Sequence, residues 1–549
     1  MDDYGCHLVE ELRAGRLTRR EFIRRGSVMG LSVSSIGVLL SACQGGGSGS
    51  EGGGAPVSGG GKPKRGGTLR IARVVPGSDP DPVTIADSGG VQTVQLAGEY
   101  LVHPGADNVL EPRLATKWEP GSTPDQWTFT IRQGVKWHDG STLTVDDVVA
   151  TFDRLTDPKT ESSALSAFES VLSKGGVEKV GKDRVRFHLD RPLADFPYLV
   201  SNYTFNAIIL PANHEVGTFT EGGVGTGPFI LKEYRTQQGA SYVRNPDYWN
   251  PQLPYLDAVE LVYFDDTPPI VLAMQAGEID YNAEQPFAGA QALFENPNIN
   301  VYVNESSAYR AIHMRTDEGP FADKRVRQAL ALSLDREALV EGLFQGRAEV
   351  GNDHAFAPIF PTAPPAGEVS QRVQDHAMAT QLLSDAGHPD GIDVELTTQQ
   401  FLEIPQLVTF MSEQVRPAGI RIKPNVLPPD EYYGGGDPPP WLTVPFGITD
   451  WAARGVASQT IAPAYLCDGV WNSAHWCNKE YDRLIAALDA ELDEQKRGEL
   501  AVKAARIQND EVPSGIPYWI NEMRAASKVV SGLEAVPRPE EAVFWLDQA

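Results

Sequence analysis

A mixed α/β fold, with sheets covered by helices, is predicted by two features of the 549-residue chain. Short runs of alternating apolar and polar residues have the period of strands, and the longer runs between them have the period of helices and carry clear start signals. A chain of this length exceeds one hydrophobic core; at about 150 residues per domain it predicts roughly three structural units. Strands are expected at 68–72, 127–131 and 185–189. Thr144 and Asp147 form a capping box in front of Val145, Val148, Val149, Phe152 and Leu155, an apolar stripe at helical spacing that Pro158 closes. The same reading predicts helices over 323–334, 335–344, 478–492 and 493–510.

The first sixty residues differ in kind. "LTRREFIRRGSVMGLSVSSIGVLLSAC" contains the twin arginines Arg19 and Arg20, then a short, mildly apolar run ending in Leu40-Ser41-Ala42-Cys43. The run is shorter than the roughly 20 apolar residues that cross a bilayer, so 1–42 reads as an export signal. Its last four residues resemble the lipobox of bacterial lipoproteins, which implies that Cys43 becomes the lipid-modified first residue of the mature chain. Residues 43–65 are rich in Gly, with too little apolar surface to fold, and form a flexible tether.

Removing residues 1–42 leaves a net charge of −27, a balance that repels phosphate backbones and argues against a nucleic-acid partner. Two cysteines remain in the body of the chain, Cys467 and Cys477. On an oxidising side of the membrane they can close a small loop, which chain entropy makes worth roughly 2–3 kcal/mol. Free thiols and a metal site including His475 are the alternatives.

Seven phrases then occur in order: "GVKWHDG", "LTVDDVVATFDRL", "GTGPFILKEY", "VRNPDYWN", "MQAGEIDY", "FADKRVRQALALSLDREALV" and "IPYW". Together they resemble the large extracytoplasmic solute-binding proteins of ABC importers, which include peptide, dipeptide and nickel receptors. The likeness covers about 66–545. It implies a periplasmic-binding-protein-like, two-lobed fold of class II type with an extra domain inserted in the first lobe. By that analogy the first lobe is 66–111, 223–306 and 506–549, the extra domain 112–222, and the second lobe 307–505. The phrases themselves read as structural: Asp139-Gly140 and Asn245-Pro246 are turn signals, with Trp137 packed beneath the first. "GGVGTGP" (222–228) lacks the Lys-Ser/Thr of a phosphate-cradling loop and runs into a strand at Pro228; it is expected to be a hinge crossing.

In peptide receptors of this family a W-x-A-D-Y segment on the second lobe supplies an Asp that pairs with the peptide's amino terminus. The matching positions lie in "GITDWAARGVAS" (447–458) and read Trp451-Ala452-Ala453-Arg454. A guanidinium would repel an ammonium but can hold a carboxylate or phosphate bidentately. Arg454 is therefore expected to receive an anionic group while Trp451 stacks on the ligand, unless Arg454 pairs internally with Asp450, Asp468 or another acid. Asp450, Asn472, Tyr432 and Tyr433 are further lining candidates, and Glu99 and Tyr100 lie where the family's first lobe approaches ligand.

An enzyme is the competing class. H-E-x-x-H, C-x-x-C and paired His at metal spacing are missing, as is any G-x-S-x-G outside the tether. The expected protein is thus a lipid-anchored, extracytoplasmic binding component that delivers a peptide or related solute to permease subunits, without a cofactor or metal. A non-peptide carboxylated solute, a metal chelate, or a signalling or adhesion role on the same fold are the alternatives.

Overall fold

The computed structural model describes residues 62–105, 108–533 and 541–547, all within the unit Ser58–Ala549. The export-signal residues Arg19 and Arg20 and the lipidation candidate Cys43 lie outside the described residues. No helix among the described residues is long and apolar enough to cross a membrane.

The expected helices form, each started by a side chain that accepts a backbone N–H. Asp323, Asp335, Asn478 and Asp493 cap Lys324–Leu332, Arg336–Phe344, Lys479–Ala490 and Glu494–Glu511. Thr144 and Asp147 cap each other's backbone before Val145–Leu155.

One large mixed sheet runs through both lobes. At its first-lobe end Thr68–Val74 lies parallel to Ala258–Phe264 and to Tyr281–Asn282, with Gly239–Arg244 and Phe229–Arg235 added antiparallel. At its second-lobe end Ile392–Gln399 lies parallel to Ile420–Leu427 and to Phe446–Trp451. Two antiparallel strands join the ends: the 16-residue Ile299–Met314, and Tyr518–Ser527. Ile299 to Asn304 pair with Ser527 back to Glu522; the register then shifts before Ala308 and Tyr309 meet Ile520 and Trp519. Beyond that irregularity Ile299–Met314 continues into the second lobe, pairing with Phe446–Trp451. A bulge of this kind bends and twists a ladder locally, so the passage between lobes is Asn304–Ala308 and the facing Ile520–Glu522.

This corrects two expectations. Residues 222–228 are not the passage between lobes. Gly225 and Gly227 within them serve close approach, because a Cβ on Gly225 would lie 1.8 Å from the Ala97 carbonyl oxygen and one on Gly227 2.6 Å from the Ala97 carbonyl carbon. The chain also returns to the first lobe later than residue 506. Helix Glu494–Glu511 packs its Ala501, Ala504 and Ala505 in a second-lobe core, and Ser514–Gly515 pairs with Ile312 and His313.

The four-stranded sheet of Ala115–Pro120, Gln126–Ile131, Arg184–His188 and Val177–Val180 is separate in its hydrogen bonding. Its apolar side is not: Phe129, Phe152, Phe187 and Phe196 belong to one continuous core with Leu69, Ile71 and Val259 of the first lobe. Phe152 meets Phe187 and Phe168 edge-on at 4.9 and 5.9 Å. Trp137 is buried under its turn, whose Asp139 carboxylate accepts from the Ser141 N–H at 2.9 Å.

Because the Ala97 backbone cannot yield to a Cβ as a side-chain tip can, G225A is expected to lower unfolding stability by about 1–3 kcal/mol. Urea unfolding followed by circular dichroism checks this, and G498A, which meets nothing nearby on an ordinary helical backbone, is the less perturbed comparison.

Candidate functional site

Parallel strands with short connections open crevices at their carboxyl ends, where ligands of open α/β sheets bind. In the second lobe those ends are Gln399, Leu427 and Trp451. The chain leaving Trp451 reaches the passage between the lobes at once. The Arg454 N–H donates to Ser307 Oγ at 2.7 Å, and that hydroxyl lies 2.7 Å from the Arg454 carbonyl oxygen, which accepts from it. Ser307 belongs to the irregular stretch of the crossing strand. One residue on, the Gly455 carbonyl accepts from Asn108 Nδ2 at 2.7 Å, and Tyr203 Oη donates to Asn108 Oδ1 at 2.8 Å. A Cβ on Gly455 would lie 2.4 Å from the Tyr203 ring, so glycine is required by the approach of the other side. The stretch 452–456 is thus held between the crossing strand and the insert, with the Arg454 side chain half-buried.

Strand alternation then divides the expected residues. Trp451 shares a face with Thr449 and packs against aromatic rings there. It is only 9% exposed, lies parallel to Tyr309 with ring centres 6.0 Å apart and 6° between planes, and meets Trp471 at 6.0 Å. Tyr309 is its direct partner across the ladder, and Trp471 rides on the loop that the Cys467–Cys477 disulfide closes. A small cavity of about 10 Å³ lies among Trp451, Trp471, Thr449, His313, Tyr465 and Ser473.

Asp450 points to the opposite face, where Tyr433 Oη and Gln399 Nε2 both donate to its Oδ1. Burial, and then the charge of Asp450, push the Tyr433 phenol far up, so it stays a neutral donor. Beside this group Arg310 pairs with Glu403 at 2.9 Å, and Tyr518 Oη donates to the same carboxylate at 3.3 Å. Sequence reasoning missed Arg310, Glu403, Tyr309 and Trp471. Strand alternation around Trp451 was the available signal for the division of faces, but the partners lie far apart in the chain.

Three further lining candidates have partners within their own lobes. Tyr432 is fully buried, packed 5.2 Å from the Tyr433 ring, because it faces inward from its short helix. Asn472 binds its own loop: Nδ2 donates to the carbonyls of Leu466 and Trp476, and Oδ1 accepts from the Trp476 N–H. Tyr100 is buried in the first lobe, donating to the Phe205 carbonyl and accepting from Gln95. Glu99 accepts there from Tyr248 Oη and Trp249 Nε1, both at 2.8 Å. Glu99 and Tyr100 line a first-lobe cavity of about 50 Å³ with His103, Arg113 and Asn202, a different set of residues from those around Trp451. Among the described residues no cluster of three or more His, Cys, Asp or Glu is placed to hold a metal.

Two lobes joined by paired strands, with the segment Trp451 to Arg454 carried to the passage between them, are the architecture of a two-lobed binding protein. Residues 109–466 match the profile of the bacterial extracellular solute-binding proteins, family 5, and the chain belongs to that family. Its members are extracytoplasmic binding proteins of transport and not enzymes. The chain is 26% identical over 502 residues to the dipeptide-binding protein of Pseudomonas aeruginosa, covering 85% of this chain and 92% of that one. It is 26% identical over 428 residues to the glutathione-binding protein GsiB of Salmonella typhi, covering 75% and 81%. The oligopeptide-binding protein AppA from Bacillus subtilis, solved with a nonapeptide, shares the fold with a TM-score of 0.70 at 23% identity, covering 89% and 100%.

Burial pushes the His313 imidazole beside Trp451 down to about 3, with His475 adding repulsion, and burial holds His354 down at about 4. An imidazole neutral in the folded chain but free to protonate near 6.5 when unfolded favours the fold fully above pH 6.5. That contribution is lost as pH falls toward the folded value. Unfolding stability is therefore expected to decline between pH 6.5 and 4.5, and H313Q to reduce that slope by up to about 1.4 kcal/mol per pH unit. Urea titrations across this range check the slope; an unaltered slope contradicts a neutral, buried His313.

Proposed function

We propose that this chain is the lipid-anchored substrate-binding component of an ABC importer, which captures a small anionic solute of peptide or related type between its lobes and presents it to permease subunits. Family membership supports a binding role, and the relatives named for dipeptides and glutathione support the peptide class. Arg454 carries the narrower reading. It occupies the position of the Asp that receives a peptide's amino terminus, and Ser307 ties its backbone to the passage between lobes. An Arg there favours a carboxylate or phosphate over an ammonium, with charge-assisted bonds of roughly 1.5–3 kcal/mol each. The same observation favours a second reading, a carboxylated solute that is not a peptide.

Closing would be non-covalent. The ligand's contacts add to the closed state, and the permease reads that shape. The lipid on Cys43, the export signal with Arg19 and Arg20, and the Gly-rich tether 43–65 would keep the receptor beside the outer face of the membrane.

Mass spectrometry of the solute that co-purifies with the protein identifies the ligand, and calorimetry with that solute tests Arg454. R454D is expected to weaken binding by about 10- to 150-fold; undiminished affinity removes Arg454 from the site. C43A is expected to shift the exported protein from the membrane to the soluble fraction, and retention on the membrane contradicts the anchor.

A further inference from the structure

The inserted four-stranded unit touches the second lobe through a set of charges that neither lobe's own architecture requires. Arg191–Asp195 follows strand Arg184–His188 and is fastened to the small sheet: the Leu193 N–H donates to the Pro124 carbonyl at 3.0 Å, and Trp127 Nε1 donates to the Leu193 carbonyl at 3.1 Å. Facing it are Asp489, near the end of helix Lys479–Ala490, and Arg497, in the first turn of Glu494–Glu511. Arg497 Nη2 lies 2.5 Å from Asp195 Oδ1, and Arg191 Nη1 lies 2.5 Å from Asp489 Oδ2. Ser458 Oγ donates to Asp195 Oδ2 at 3.1 Å, and the Ala194 N–H donates to the Asp489 carbonyl at 2.7 Å. The Asp195, Asp489 and Arg497 side chains are 2%, 4% and 11% exposed.

From this contact we propose that the inserted unit is a closure clamp, in which Arg191 and Asp195 engage Asp489 and Arg497 only when the lobes are shut. The inference rests on the reading of this chain as a receptor whose lobes close. None of the four residues belongs to the crossing strands, so rotation about Asn304–Ala308 parts the faces that carry them. Once parted, all four charges regain water. In the shut state Asp195, Asp489 and Arg497 have lost most of their water, while Arg191 keeps 31% exposure, and each buried charge depends on its partner: burial pushes the Asp489 carboxyl up to about 6 against the pull of Arg191, so at pH 7.5 it is charged and paired. A buried pair adds little net strength compared with apolar residues of the same size, but one partner left alone is strongly unfavourable. The clamp therefore selects one closed arrangement, because a displaced closure buries unmatched charge.

Single-molecule energy transfer on the ligand-free mature chain at pH 7.5, with dyes at K159C and K503C, reads the closed-to-open ratio without any knowledge of the solute. D195N and R497Q are each expected to lower that ratio about tenfold or more, and D195N/R497Q to return it to within about threefold of the parent. Singles that leave the ratio unchanged, or a double variant no better than the worse single, overturn the clamp. If a single variant fails to fold, the charge-swapped D195R/R497D decides: recovery of the parent ratio supports the clamp, and an opened or unfolded chain overturns it. Since no ligand is used, these outcomes are independent of R454D and of the solute's identity.

Discussion

Two hydrogen-bonded strands, Ile299–Met314 and Tyr518–Ser527, carry the backbone ladder from one lobe into the other. An unbroken flat ladder would resist bending between two packed bodies. The register shift between Asn304 and Ala308 places the irregularity at the boundary, where a local bend costs the fewest regular hydrogen bonds. The same irregular stretch presents Ser307, which fixes the backbone of Arg454. The structural passage and the candidate binding segment are therefore one piece of architecture.

Around that passage, polar groups are handled differently according to their position. Asp353, fully buried within the second lobe, is surrounded by Arg336, Arg372 and the Ile516 N–H, and these hold its carboxyl below the ordinary range against the cost of burial. That arrangement belongs to one lobe and persists whatever the lobes do. Asp195 and Asp489 are satisfied instead by arginines across the gap between insert and second lobe. A charge matched within a lobe stabilises that lobe's fold, whereas a charge matched across the gap makes the relative placement of the two bodies matter.

Much of the secondary structure was legible in the sequence because its causes are local. Asp323, Asp335, Asn478 and Asp493 start helices through bonds to N–H groups within three residues, and Thr144 with Asp147 does so reciprocally. The glycines of 222–228 were misread for the opposite reason. The constraint on Gly225 and Gly227 comes from Ala97, more than a hundred residues away, and local spacing carries no trace of it. Asn472 and Tyr432 show the same limit, since a polar or aromatic residue in a loop looks alike whether it faces a ligand or ties its own chain.

The sequence by itself determined the local elements and the family's ordered phrases, and it singled out an Arg where an Asp is usual, because caps, periodicity and residue identity are properties of neighbouring positions. Tertiary structure alone decided that Trp451 stacks on Tyr309 while Asp450 turns to Tyr433 and Gln399, and that Arg191 and Asp195 meet Asp489 and Arg497. Strand register and lobe packing bring those groups together from segments as much as about 300 residues apart, and no local pattern encodes which distant side chain will arrive.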